Sequence, residues 1–391
     1  MRRVYLDHAA TTPLAPEVLE EMKPYLTEHY GNASSVHQLG RQARVTLEEA
    51  RERVANCLGA QSSEIVFTSG GTEADNLAIK GALSSALERD ESAGLITSAA
   101  EHEAVLTPAE RLQEQGHPVS ILMPDAGGAV TPGQVEAAID DRTALVSLMH
   151  ANNEIGVCTD IPAVAEVCTE NDVLLHCDAV QTAGLFEIDV DELGVDLLSL
   201  SGHKFYGPKG VGVLFVRGGV DLGPLVEGGS QERERRGGTE NVPAVVGLAE
   251  ALERAVDAAE ERRERLARLQ RRLVDGLDEA VPCDYVLNTP VDDAPVAPHV
   301  VNVAFPPTGG EPVDGEMLIL NLDMEGVLVS AGSACTSGAL EPSHVLTAIG
   351  LDRETASAAV RFSLGAETTE DDIDYTLDKL HATLSRMTSG T

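Results

Sequence analysis

Val173-Leu-Leu-His-Cys-Asp-Ala-Val180, Leu197-Leu-Ser-Leu-Ser-Gly-His-Lys204 and Val211-Gly-Val-Leu-Phe-Val216 follow one another closely in the chain. Each is a short apolar run next to polar or small residues. Such runs, bounded by turn signals, read as strands buried on both faces. Working outward, the same reading applies to Glu64-Ile-Val-Phe67, Gly94-Leu-Ile-Thr97, Val119-Ser-Ile-Leu122 and Ala144-Leu-Val-Ser-Leu148. Between them, residues 72–89, 103–115, 132–140 and 160–170 carry helical patterning. The alternation predicts an α/β fold with a mainly parallel sheet flanked by helices on both faces. Further on, the pattern predicts one long helix from about 243 to 280, whose Arg/Glu alternation over 260–272 marks a solvated face. A strand at 300–305, a helix at 312–323, a strand at 327–329 and terminal helices follow. They predict a smaller α+β domain. The expected partition is 16–254 for the large domain, with 1–15 and 255–391 forming the small one.

Charge narrows the function classes. The 391 residues include 64 acidic and 28 basic side chains, a formal net charge of −36. A nucleic-acid binder needs the opposite sign. The acids are spread along the chain, so the charge belongs to the whole surface. Such a surface repels itself in dilute salt and is tolerated when salt screens it. This predicts a protein adapted to a high-salt cytoplasm. No apolar run reaches the roughly 20 residues of a membrane span, and no apolar leader follows Met1-Arg2-Arg3; a cytoplasmic protein without membrane contact is expected. The six cysteines form no Cys-x-x-Cys pair and no metal-finger spacing. Cys57, Cys158, Cys168, Cys177 and Cys283 read as small core residues; Cys335 stands apart.

Active sites of such sheets lie beyond the carboxyl ends of the strands. Thr68-Ser-Gly-Gly-Thr72 joins a strand to a helix start, where free N–H groups and the helix dipole suit a phosphate. An ordinary loop would look similar. Asp178 ends a buried strand, where a carboxylate needs a partner; a pyridinium N–H would serve, and so would a helix cap. Lys204 follows a strand and enters the turn Phe205-Tyr-Gly-Pro208. Burial there should lower its pKa and make it a better amine for a Schiff base. The chain has only five lysines. Solvent explains the other four, including nearby Lys209. His102 follows the strand at 94–97, where an imidazole could stack on a cofactor ring and move protons, or simply hold structure. Together these residues point to pyridoxal phosphate.

Three stretches carry a resemblance. Ser201-Gly-His-Lys-Phe-Tyr-Gly-Pro-Lys-Gly210, His150-Ala-Asn-Asn-Glu-Ile-Gly156 and Tyr5-Leu-Asp-His-Ala-Ala-Thr-Thr-Pro13 resemble the NifS/IscS family of cysteine desulfurases. The likeness runs along nearly the whole chain. It implies a pyridoxal-phosphate fold of type I, similar to aspartate aminotransferase. It implies that Lys204 carries the cofactor, that Asp178 pairs with the pyridine nitrogen and that Gln181 bonds the phenolic oxygen. His102 would stack on the ring as acid and base. Gly71, Thr72, Ser201 and His203 would hold the phosphate. Thr239 would reach the phosphate of a neighbouring subunit, which implies a homodimer. Asn153 would lie beside cofactor and substrate carboxylate, and Arg361 would clamp that carboxylate.

The segment Ser330-Ala-Gly-Ser-Ala-Cys-Thr-Ser-Gly-Ala-Leu-Glu-Pro342 surrounds Cys335 with small residues and offers it no apolar face. A thiol that visits a buried cofactor and then a partner protein needs a mobile tether. The segment is similar to the longer loop of the NifS/IscS-type subgroup. The resemblance therefore implies that L-cysteine becomes L-alanine and Cys335 becomes a persulfide for iron–sulfur assembly or thiolation acceptors. No resident metal is expected, Cys335 serving at most as a transient iron–sulfur ligand. An aminotransferase, a selenocysteine lyase and a sulfur-carrying scaffold without catalysis are the rival readings. The chain ends soon after Gly365, whereas some family members dock an iron–sulfur scaffold through a longer C-terminal extension, so the acceptor stays open.

Overall fold

The computed structural model describes residues 2–125, 127–307, 313–331 and 342–388. Seven strands form the main sheet, in the spatial order Ile65–Thr68, Gly212–Val216, Leu197–Ser201, Leu174–Asp178, Thr143–Met149, Gly94–Ser98 and Val119–Leu122. Gly212–Val216 is antiparallel to both neighbours, and the other pairs are parallel. The reversal has a simple cause: the turn at 202–211 is too short for the helical crossover that a parallel return needs. The central strands are buried along their whole length, apart from their first residues in two cases. That double burial explains their unbroken apolar runs.

Pairing also carries the strands further than apolar content alone suggests. Asp178 pairs with Met149, and Ser201 pairs with Gly212. The polar residues of interest are thus the last ladder positions of their strands, fixed by backbone hydrogen bonds.

The expected single helix from 243 to 280 is instead two helices, Val242–Asp257 and Ala259–Ala280, meeting at Ala258 with φ −100° and ψ 5°. The first packs on helices Pro16–Thr27 and Gln38–Cys57, the second on Glu370–Thr388. One straight rod cannot serve both beds. The charged stretch is also less solvated than its pattern suggests. Arg262 donates to the Gly184 carbonyl, and Arg265 to those of Gly365, Ala366 and Thr368. Arg271 and Arg272 do pair with acids at the surface.

The chain's two ends meet. Val4–Tyr5 pairs in parallel with Val327–Leu328, and Val300–Ala304 lies between Ala359–Ser363 and Val286–Leu287. Val4 and Leu6 share one core cluster with Leu273, Val301, Phe362 and Leu380. Among the described residues no helix is long and apolar enough to cross a membrane.

Candidate functional site

A cavity of about 930 Å³ opens at the carboxyl ends of the main strands. Its first wall is the glycine turn after Ile65–Thr68. The Thr68 hydroxyl donates to the Gly70 carbonyl (3.0 Å), and the Glu73 carboxylate accepts the Ser69 N–H (2.9 Å). Gly70 adopts φ 152°, and a Cβ on Gly71 would come within 2.9 Å of the Val180 side chain. Only glycine leaves the backbone open here. Helix Gly71–Leu87 starts at this point, so its first N–H groups and positive dipole end face the cavity. Gly71, Thr72, Ser201 and His203 all line it. The His203 Nδ1 lies 3.0 Å from the Thr11 hydroxyl.

Lys204 lines the same cavity. Its ammonium donates to the carbonyls of Ala9 (2.5 Å) and Ala10 (3.0 Å). Burial, helped by the nearby Arg361 charge, lowers its pKa to about 8. Asp178 lies at the end of its strand and accepts the Val180 N–H at 2.9 Å. Burial raises its pKa, although that N–H, His102 and Lys204 all favour the anion. Burial, and then the Asp178 charge, raises the pKa of nearby Asp75 as well. Its Oδ1 finds no hydrogen-bond partner among the described residues. A cationic N–H entering this acidic pocket would relieve both carboxyls.

His102 is the N-cap of helix Glu103–Glu114, its Nδ1 accepting the Ala104 N–H at 3.0 Å. That bond puts the proton of the neutral ring on Nε2. Burial lowers the imidazole pKa, so the ring is neutral near pH 7. The structural and functional readings of His102 are therefore both open to the same side chain.

Arg361 is nearly fully buried and holds three oxygens: the Asn153 carbonyl (2.8 Å), Asp7 Oδ1 (2.9 Å) and the Ser330 hydroxyl (2.9 Å). Its Nε has no partner among the described residues. Asn153 and Gln181 also line the cavity. Gln181 Nε2 donates to the Ala9 carbonyl (3.0 Å), and its Oε1 faces His299 Nε2 (3.2 Å).

Thr239 is exposed and does not line its own chain's cavity. Cys335 lies outside the described residues, although Ser330 and Ala331, just before it, are part of the cavity wall. The other five cysteines are buried or half-buried. Burial raises the thiols of Cys57 to about 11 and of Cys158 and Cys168 to about 12, and also raises Cys177 and Cys283.

Sequence reading missed several neighbours. Asp7, Ala9 and Thr11 form a strap along the cavity, and Lys209, set aside there as solvent-explained, lines it too. The Tyr5–Pro13 motif held the signal for the strap. An anion cradle, an amine titrating near 8, an acid pocket and a buried guanidinium fit a pyridoxal phosphate and an amino-acid carboxylate. Among the described residues no three side chains gather as a metal site.

Comparison with known proteins agrees with this chemistry. The aminotransferase class-V family model matches residues 4–376. Cysteine desulfurase IscS of Dictyoglomus turgidum is 46% identical over 386 residues, covering 99% of this chain and 95% of that protein. A solved NifS-like protein superposes with a TM-score of 0.90 at 38% identity, covering 98% of this chain and all of that one. The structure of SspA in complex with cysteine gives 0.80 at 39% identity, covering 93% and 99%.

Proposed function

We propose that this chain, which belongs to the class-V aminotransferases and within them to the cysteine desulfurases, takes the sulfur from L-cysteine, releases L-alanine and keeps the sulfur as a persulfide on Cys335. One observation carries the reading: Lys204, with its depressed pKa, and the buried Arg361 face one cavity beside an anion cradle. Bound on Lys204, pyridoxal phosphate supplies an electron sink for carbon chemistry on the amino acid.

The residues around it divide the work. The turn at Gly71 and Thr72, with Ser201 and His203, holds the phosphate. Asp178 gives the ring nitrogen an anionic partner, and Gln181 gives the phenolic oxygen a hydrogen bond. Arg361 takes the substrate carboxylate, for which its planar guanidinium suits a bidentate contact, with Asn153 beside it. The Lys204 amine, once released, is basic enough to take the α-proton yet neutral often enough near pH 8 to act. His102 offers Nε2–H as a proton source. The Cys335 thiolate attacks the substrate sulfur. An S–S bond forms, the C–S bond breaks, and Cβ keeps the electron pair and gains a proton. Sulfur is oxidised and carbon reduced, so no outside redox partner is needed.

Support for Cys335 comes from elimination and sequence. The other thiols are pushed up by burial and are poor nucleophiles, while Ser330 and Ala331, a few residues before Cys335, line the cavity. We read residues 16–254 as the cofactor domain, with 1–15 and 255–391 as the domain bearing Cys335. Exposed Thr239 follows Arg236, which is pinned on Glu73 at 2.8 Å; this suits a homodimer in which Thr239 reaches the neighbour's phosphate. An iron–sulfur scaffold or a thiolation protein in a saline cytoplasm would receive the sulfur. The test is one turnover of cofactor-loaded protein with L-cysteine. Alanine equal to protein-bound sulfur is expected. Pyruvate with free sulfide would contradict the reading.

A further inference from the structure

Behind the cavity lies a buried imidazole, 5% exposed, to which neither the motifs nor the proposed chemistry gives a task. We propose that His299 is a positioning residue that locks the Gln181 amide with its NH2 group turned to the cavity, making Gln181 a donor, never an acceptor, toward the cofactor's phenolic oxygen. The inference rests on the reading of Gln181 given above.

The hydrogen bonds leave one arrangement. The Ala9 carbonyl can only accept, so the amide end facing it at 3.0 Å is Nε2. The oxygen end then faces His299 Nε2 at 3.2 Å and needs a donor there. The imidazole proton is therefore on Nε2. Nδ1 is left bare, and it has no partner among the described residues. One Gln181 N–H is used on Ala9, and the second remains for the cavity. Were the amide to turn over, its oxygen would face the Ala9 carbonyl and lose that bond, and its NH2 would meet His299 Nε2, which could accept only by giving up its proton to Nδ1.

His299 is itself held firmly. Its carbonyl accepts the Leu364 N–H at 2.7 Å. The Gln270 amide bridges the carbonyls of Ala297 and Val300 on either side of it. The imidazole also stays neutral. Arg361, His8 and Lys204 are the charged or titratable groups that bear on it, all disfavour its protonation, and burial brings its pKa to about 3. Its donor role thus persists across the working pH range.

A donor on the phenolic oxygen draws off negative charge that would otherwise hold the proton of the neighbouring imine. Losing it should raise the pKa at which the visible band of the bound cofactor titrates, by roughly one to two pH units for a charge-assisted bond. The experiment titrates that band in holoenzyme carrying His299→Leu, His299→Gln or Gln181→Leu. We expect both leucine variants to titrate higher, and His299→Gln, which keeps a donor of similar reach, to return toward the parent value. A shift in Gln181→Leu alone overturns the role of His299 and leaves that of Gln181 standing. No shift in either leucine variant overturns both. Nitrogen NMR of histidine-labelled, unsubstituted holoenzyme needs no variant to fold: a neutral Nε2–H ring from pH 6 to about 9 is expected, and an Nδ1–H or doubly protonated ring overturns the proposal.

Discussion

Lys204 owes its chemistry to a lowered pKa. Below about pH 8 its amine is protonated and cannot attack an aldehyde; above it the amine is free. Capture of pyridoxal phosphate by cofactor-free protein should accelerate as pH rises through that value and then level off, as followed by the growing visible band. Lys204→Ala should show no covalent band at any pH. Arg361 makes a different prediction. A lysine there keeps the charge but loses the planar fork. Arg361→Lys should raise KM for L-cysteine roughly ten- to a hundredfold, the worth of a charged hydrogen bond, with kcat less affected; steady-state alanine assays will read both. Lys204, Asp178 and His102 were legible in the sequence because each follows a strand whose pattern is local. His299 was not, and Asp7 and Ala9 showed only as members of the Tyr5–Pro13 motif, without their contacts. They reach Arg361, Lys204 and Gln181 through contacts between distant parts of the chain, which no local spacing records.

Elements matter most where an irregular segment braces a regular one. Glu232, Arg233 and Glu234 adopt φ of 44°, 54° and 68°, left-handed values that strain residues with side chains. The Glu232 carboxylate accepts two Arg51 N–H groups (2.7 and 2.8 Å) and the Phe67 N–H (2.9 Å). Arg236 grips Glu73, which in turn caps Ser69. The segment that leads to Thr239 is thus bolted to the strand and turn that form the anion cradle. Glu232→Ala would take from buried Arg51 its bidentate, buried partner, leaving it half-exposed Glu48 and the Ile65 carbonyl. We expect a loss of about 3–5 kcal/mol in denaturant unfolding, whereas loss below 1 kcal/mol would contradict the bracing role. Strands of the main sheet were readable because double burial writes itself as apolar runs. The break at Ala258 and the strand Ala359–Ser363 were not. The first follows from two packing beds, and the second from pairing with Val300–Ala304 across distant sequence.

At the scale of the molecule, a net charge of −36 predicts that salt raises stability. Screening weakens the mutual repulsion of surface carboxylates. The thermal midpoint should rise markedly between dilute buffer and roughly molar potassium chloride, where the Debye length falls to about 3 Å; a midpoint independent of salt would remove the case for a halophilic protein. The fate of the sulfur decides the chemistry. Its most direct test is intact-protein and peptide mass spectrometry after one turnover with L-cysteine, comparing the parent chain with Cys335→Ser. The parent should gain one sulfur atom on the Cys335 peptide as alanine appears, while Cys335→Ser should keep its visible band but gain no sulfur and make no alanine. A Cys335→Ser protein that forms alanine at the parent rate, or a parent whose sulfur maps to another cysteine, would contradict that role of Cys335.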